Sequence, residues 1–175
     1  MDFIYSNLMT EQRLLGKRFR LLLTVSLLAV FSAGIAWAGP PIIADGKADV
    51  TVYKTEFCGC CTKWTDHLEK SGFDVNVITV NDTSPVRTRL GVPRELASCH
   101  TAVVGNYWVE GHVPADLLSQ LLQQQPANIK GIAVPGMPPG SPGMEVPNPS
   151  AYQILSVDND GKVGWYATRM GRSTR

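Results

Sequence analysis

Three of the four cysteines of this chain lie within four residues of one another, at Cys58, Cys60 and Cys61. They follow an alternating apolar run that predicts a strand over 49–55, and they precede apolar residues at helical spacing over 62–71. A Cys58–Cys60 or Cys60–Cys61 disulfide would close almost no loop, so it would constrain the unfolded chain very little. The cluster therefore indicates a chemical role at the junction between a first strand and a first helix.

The rest of the chain continues this strand and helix pattern. It predicts a strand over 73–80, a short helix over 84–90, strands over 101–104 and 107–110, a helix over 114–124, and a closing hairpin over 151–167. Residues 126–150 are rich in proline and glycine and predict a long loop. This order predicts an α/β fold, a small mixed sheet flanked by helices. With a cysteine pair at the first strand-to-helix junction, it resembles the thioredoxin-like fold.

The N-terminal segment has the three parts of a secretory signal. Basic residues between Arg13 and Arg20 precede an apolar stretch over 21–38, which ends in Ala36-Trp37-Ala38. We expect a signal peptide over 1–38 and a periplasmic mature protein; the alternative is an uncleaved membrane anchor, because an apolar stretch of this length nearly spans a bilayer. The mature chain is then divided into an extension at 39–48, a single domain at 49–168 with a Pro/Gly/Met loop at 131–149, and a C-terminal tail at 169–175.

Charge excludes one class of partner. The whole chain has 16 basic and 15 acidic residues, and removing the four basic and two acidic residues of 1–38 leaves 12 and 13, a formal charge of −1. Because no basic block remains, nothing predicts nucleic-acid binding, and contact with a membrane is expected only through the signal segment if it is not cleaved.

Cys58 and Cys61 have the C-x-x-C spacing, at the predicted start of a helix. Backbone N–H groups and the helix dipole favour thiolate there, and a thiolate is both a redox nucleophile and a metal ligand. Cys60 lies between the pair, where it complicates dithiol chemistry but suits coordination by several thiolates. A thiol-disulfide oxidoreductase and a structural zinc site are the alternatives to a softer metal.

The segment Ser98-Cys99-His100-Thr101 is predicted to face this cluster. In thioredoxin-like oxidoreductases the matching strand is preceded by a cis-proline that packs over the C-x-x-C pair, whereas His100 occupies that position here. The departure disfavours a dithiol oxidoreductase and adds a thiol and an imidazole. Neighbouring side chains on a regular strand point to opposite faces, so both can reach the site only if the backbone is irregular.

Methionines and histidines complete the candidate ligands. Met137 and Met144 each follow a glycine in the proline-rich loop, although a methionine commonly just fills a core. Thiolate and thioether ligands select Cu(I), whereas zinc, which Cys₃His also satisfies, has little use for methionine. His112 could point to the cluster or cap the next helix, and His67 is a weaker candidate. The predicted ligands are Cys58, Cys60, Cys61, Cys99, His100, His112, Met137 and Met144, enough for more than one thiolate-bridged Cu(I) ion.

Two aromatic residues flank the cysteines. We expect Phe57 and Trp64 to shield the site and to fill core.

Five segments, CGCCTKW, GFDV, SCHTAVV, EGHVP and VPGMPPGSPGME, occur in this order and resemble the CopG-like family over residues 49–168. The resemblance implies a thioredoxin-like, periplasmic copper-binding protein of copper resistance, with copper-efflux or copper-chaperone proteins of the envelope as partners. Carried over by motif, it makes the four cysteines the core copper ligands, with His112, Met137 and Met144 as additions. It leaves open whether copper is only sequestered or also changes oxidation state, so a copper or thiol oxidoreductase stays an alternative.

Overall fold

The computed structural model describes residues 48–174, so the segment expected at 1–38 and all but the last residue of the extension expected at 39–48 lie outside the described residues. The strands are β1 (Asp49–Lys54), β2 (Asp74–Thr79), β3 (His100–Val104), β4 (Tyr107–Glu110), β5 (Ile129–Ala133), β6 (Ala151–Asp158) and β7 (Val163–Met170). The helices are α1 (Gly59–Lys70), α2 (Ser84–Leu90) and α3 (Ala115–Gln124), with a short 3₁₀ turn at Arg94–Leu96. The predicted α/β fold, a mixed sheet with helices, is confirmed.

The seven strands form one sheet in the order β2-β1-β3-β4-β5-β6-β7. Strands β1 and β2 are parallel, as are β4 and β5, and the other neighbours are antiparallel. The β1–β3 pairing places Lys54, the last residue of β1, opposite His100, the first residue of β3. The chain leaving β1 and the chain entering β3 therefore meet at the same end of the sheet, and both carry cysteines.

The core lies mainly on one face of the sheet, under α1 and α3. Helix α1 contributes Trp64 and Leu68, and α3 contributes leucines at helical spacing, Leu117, Leu118 and Leu121, all within 1% of complete burial. Burying a large apolar side chain contributes about 1.5–3 kcal/mol. Strand β4 is buried on both faces, with Val109 in this core and Trp108 in a smaller cluster on the opposite face.

The predicted loop at 131–149 is wrong at its start, because residues 131–133 belong to β5. Ile132 is fully buried, and Gly131 lies directly against the Trp108 ring, where a Cβ would be 2.1 Å from Trp108 Cδ2. Glycine is required here by this close approach, so the residue that reads as a loop signal is a packing residue of a strand.

The predicted tail at 169–175 is also corrected over its described part. Strand β7 continues to Met170, and the residues after it pair with the proline-rich loop. Arg172 N–H donates to the carbonyl of Gly140 at 2.7 Å, and Thr174 N–H donates to the carbonyl of Val146 at 3.2 Å. The segment after β7 is therefore part of the packed structure.

Within residues 48–174, no helix combines the length and the apolar character that crossing a membrane requires.

Candidate metal centre

Helix α1 begins at Gly59, three residues before its predicted start, with Cys58 as the residue that precedes it. Cys60 and Cys61 consequently lie in the first turn, where unpaired N–H groups and the helix dipole favour negative charge. The first turn contains no acidic residue, and no side chain caps it. A thiolate formed here would meet a favourable field with no carboxylate competing for it.

Cys58 and Cys61 are joined by a disulfide, with their Cα atoms 5.3 Å apart, whereas Cys60 and Cys99 are free thiols. The sulfur of Cys60 lies 3.6 Å from that of Cys58. Disulfide sulfurs are not thiolates, so the C-x-x-C pair must gain two electrons before both of its cysteines can bind a metal.

The four cysteines converge as predicted, with their Sγ atoms all within 4.8 Å of one another. Cys60 Sγ is 4.0 Å from Cys99 Sγ, across the junction between α1 and the chain that enters β3. The sheet order explains this, because β1 and β3 are neighbours although about forty residues separate the cysteines that follow and precede them.

A second group consists of Cys99, His100 and His112, whose ligand atoms also lie within 4.8 Å of one another. Cys99 Sγ is 3.0 Å from His112 Nε2 and 3.3 Å from His100 Nδ1. Strand β3 begins at His100, so Cys99 lies outside it and the alternation of a regular strand does not separate the two side chains. Cys99 belongs to both groups and joins them into one continuous site.

The orientation of His112 is set by the loop that follows β5. His112 Nδ1 lies 2.7 Å from the carbonyl oxygen of Pro142, which can only accept, so Nδ1 carries the hydrogen. The lone pair of Nε2 then points toward Cys99. Histidine ligands are commonly held in this way, with one nitrogen donating to a backbone carbonyl and the other free to bind.

Burial keeps this second group uncharged. Burial, and then the nearby His112, lowers the pKa of His100 to about 3, and burial also lowers the pKa of His112. Burial, and then the neighbouring Cys60, raises the pKa of Cys99 to about 12. A bound cation would instead lower the pKa of Cys99, since coordination favours the thiolate.

His100 Nε2 is buried without a hydrogen-bond partner, and the His100 ring packs against Trp64 with the ring centroids 4.2 Å apart. Trp64 is fully buried and donates its indole N–H to the carbonyl of Val113, which confirms that it shields the site. The expectation for Phe57 is wrong, because its side chain is 93% exposed in the turn before Cys58.

The proline-rich loop contacts the site through Pro142 and Gly143. A Cβ on Gly143 would be 2.8 Å from the carbonyl oxygen of Cys60, so the loop backbone lies directly on the first turn of α1. Met144 follows Gly143 and is half-buried, whereas Met137 is 53% exposed. His67 belongs to neither group, and its Nε2 accepts a hydrogen bond from Ala115 N–H at 3.2 Å.

Glu110 is a further residue of this region, and it is not among the ligands predicted from the sequence. It is fully buried, and its carboxylate accepts from Ser98 N–H, immediately before Cys99. The sequence did contain a signal that Glu110 is buried near the site. It ends a strand whose other residues are apolar, and it opens the EGH segment that contains His112.

Two kinds of comparison relate the chain to known proteins. Residues 96–144, which include Cys99, His112 and both loop methionines, match the family described as "Protein of unknown function, DUF411". None of the curated proteins matches the chain. Two solved structures of copper resistance protein copG, forms 2 and 1, are each 42% identical to it, with a TM-score of 0.67. The match to form 2 covers 70% of this chain and 98% of that one, and the match to form 1 covers 71% and 99%.

Proposed function

The chain belongs to the CopG-like family of copper-resistance proteins, and from that premise we propose that it is an exported protein that binds Cu(I) and protects the cell envelope from copper. The ligands would be the four cysteines with His100 and His112, and the loop that carries Met137 and Met144 would close over the metal. The observation that carries the proposal is the position of Cys99, whose sulfur belongs both to the four-cysteine group and to the Cys-His-His group.

The donor set supports copper. Sulfur dominates the site, and soft thiolates favour Cu(I), while neutral imidazoles are ligands that copper also accepts. His112 presents a free Nε2 to the site, and His100 has a buried nitrogen without a hydrogen-bond partner. Because Cys99 is common to both groups, its thiolate could bridge two ions, and we propose a site that holds more than one copper.

The oxidation state of the cysteines determines when the full site is available. With Cys58 and Cys61 in a disulfide, the free thiols are Cys60 and Cys99, and the two histidines complete a smaller donor set. Reduction of the disulfide by two electrons and two protons yields four thiols. We propose that the reduced protein is the form that binds copper fully, and that bound copper can in addition change oxidation state.

Export and a thioredoxin-like architecture are part of the same proposal. The strand, helix, strand, helix, hairpin, helix order of the first half, with the C-x-x-C pair at the first strand-to-helix junction, supports the thioredoxin-like assignment. Mass spectrometry of the protein from a periplasmic extract tests export; we expect a mature chain that begins at Gly39, and a full-length membrane-bound chain would contradict cleavage.

Copper binding is tested by titrating the reduced, desalted protein with Cu(I) against a competing chelator in the absence of oxygen. We expect a copper-to-protein ratio above one and metal–metal scattering in X-ray absorption. A ratio of one without such scattering would refute a multinuclear site, and a preference for zinc would refute the choice of metal.

Replacing Met137 and Met144 together should weaken copper binding and spare zinc; unchanged copper affinity would refute the proposal that their loop closes over the metal.

A thiol-disulfide oxidoreductase is the second candidate, and the Cys58–Cys61 disulfide at the start of α1 favours it. The experiment that separates the two functions is an insulin-reduction assay on the wild-type protein and on Cys60→Ser. Turnover that survives in Cys60→Ser, with no copper retained, would support the oxidoreductase. Tight copper binding without turnover supports the copper-binding function.

A further inference from the structure

The Glu110 side chain lies beneath the segment that carries Cys99. Its Oε1 accepts from Ser98 N–H at 2.7 Å, and its Oε2 accepts from the Thr101 hydroxyl at 2.6 Å. Ser98 precedes Cys99, and Thr101 follows His100. One carboxylate therefore holds the chain on both sides of the Cys99-His100 pair.

The neighbours of Glu110 hold the same segment. Arg87 donates to Glu110 Oε1 at 3.3 Å and to the carbonyl of Ser98 at 3.2 Å. Gly111 N–H donates to the carbonyl of His100 at 3.0 Å. A Cβ on Gly111 would lie 2.5 Å from Ser98 Oγ, and its φ of +71° is one that side chains rarely adopt. The residues before His112 thus fix the backbone around Cys99.

Stability alone gives a poor account of this arrangement. Glu110 is completely buried, and its cationic partner Arg87 is 17% exposed and 3.3 Å away. Taking a carboxylate out of water is costly, and apolar residues of similar volume often replace a buried ion pair with no loss of stability. The carboxylate is directed at donors on either side of a candidate metal ligand, which is the pattern of an outer-shell residue that orients a ligand.

We propose that Glu110 is the positioning residue for Cys99, and that it acts through Ser98 and Thr101 to hold the shared sulfur between the two ligand groups. The inference rests on the proposed copper-binding function, because it concerns the geometry of that site. Glu110 itself lies outside both ligand groups, and both of its oxygens accept from protein donors.

The test compares Glu110→Leu, which removes both acceptors at similar volume, with Glu110→Gln, which keeps one acceptor for Ser98 N–H. Loss of an outer-shell partner typically lowers metal affinity about 10- to 100-fold, and we expect a loss in this range for Glu110→Leu and a smaller one for Glu110→Gln. The Cu(I)–thiolate absorption spectrum should change in the same order. The control is Ile154→Val or Ile154→Ala, whichever matches Glu110→Leu in denaturant midpoint; Ile154 is buried in β6, three strands from β3.

A readout without metal separates this inference from the function on which it rests. In the disulfide-containing protein the free thiols are Cys60 and Cys99, so peptide mapping after alkylation reports the rate at each. We expect both Glu110 variants to alter the Cys99 rate and to leave the Cys60 rate less changed. If the wild-type protein binds no copper, the proposed function fails and the alkylation rates still test the positioning.

Two results would overturn the inference. One is wild-type copper affinity and spectrum in Glu110→Leu, and the other is an equal loss of copper in the Ile154 control. If Glu110→Leu does not fold, the test rests on Glu110→Gln. In that variant an unchanged rate of Cys99 alkylation, together with an unchanged copper spectrum, would refute the positioning role of Glu110.

Discussion

The two halves of the candidate site differ in what surrounds them. Cys58, Cys60 and Cys61 lie at the start of α1, where the helix favours negative charge, and Cys58 and Cys61 form a disulfide. Cys58 and Cys60 are partly exposed, whereas Cys61 is fully buried. Cys99 lies with two fully buried histidines, where burial raises the pKa of the thiol to about 12. We call the first the accessible half, because Cys58 and Cys60 are partly exposed, and the second the enclosed half, because both of its histidines are fully buried while Cys99 is half-buried.

The two halves are suited to different steps of metal binding. The accessible half can meet an external dithiol reductant through Cys58, which is partly exposed and belongs to the disulfide. An isolated charge in the enclosed half would have a high desolvation free energy. This half therefore favours a bound cation that neutralises the thiolate. Four predictions test this contrast.

Replacing Trp64 by Ala should have the largest effect, because it opens the enclosed half. The substitution removes a fully buried ring that packs on His100 and an indole hydrogen bond to Val113. We expect a loss of about 3–5 kcal/mol in the free energy of unfolding, the usual range for a buried aromatic residue changed to alanine. Denaturant unfolding of the reduced, metal-free protein measures it. A loss below about 1 kcal/mol would show that the enclosure does not depend on this ring.

Replacing Cys99 by Ser should weaken Cu(I) binding more than replacing Cys60 by Ser, because only Cys99 belongs to both ligand groups. Since loss of an outer-shell partner alone lowers metal affinity about 10- to 100-fold, we expect Cys99→Ser to lose at least about 100-fold. Chelator competition measures both variants, and each serves as the other's control. Equal losses would mean that the two groups are not joined through Cys99.

Acidification should destabilise the metal-free protein through the enclosed half. The folded pKa of His100 is lowered to about 3, below its ordinary value of 6.5, so the unfolded chain binds more protons between these values. Stability is therefore complete above about pH 6.5 and falls toward pH 3, by up to about 1.4 kcal/mol per pH unit for one fully differing histidine.

The pH dependence is measured as the free energy of unfolding from pH 7 to pH 4 in wild type and in His100→Leu. The variant should have a shallower slope, whereas His67→Gln, at a histidine outside both groups, should reduce it less. An identical slope in His100→Leu would contradict a buried neutral His100.

Replacing Phe57 by Ala should have the smallest effect. Its side chain is 93% exposed, and surface substitutions usually change stability by less than about 0.5 kcal/mol. Thermal unfolding and Cu(I) affinity should both match wild type. A clear loss of copper affinity would show that the accessible half is covered by this ring when metal binds.

The fold was largely predictable from the sequence because its strands alternate and its helices have apolar faces. Strand β5 was missed, since Gly131 next to a proline-rich segment has the composition of a loop, and its role appears only against Trp108. The prediction that Phe57 shields the site was wrong for a related reason. The sequence shows that the residue is apolar, but not that the turn directs its side chain outward.

The convergence of the four cysteines was predictable from the expected neighbourhood of β1 and β3, and the structure confirms it. The orientation of His100 was not predictable from the sequence. It depends on whether β3 begins at Cys99 or one residue later, at His100, and the structure has it begin at His100. Glu110 was missed because a single glutamate usually marks surface charge, and its place at the end of an apolar strand was not weighed against that. Its three donors show that it is bound. The redox state of Cys58 and Cys61 depends on conditions as much as on sequence.

The pairing of residues 171–174 with the proline-rich loop has a consequence for proteolysis. The loop that fixes His112 through Pro142 is itself held by Arg172 and Thr174, which follow the last strand. A carboxypeptidase that trimmed the chain as far as Met170 would remove these contacts before it reached the sheet. Such digestion should therefore loosen the cover of the candidate metal site in a molecule that is otherwise still folded.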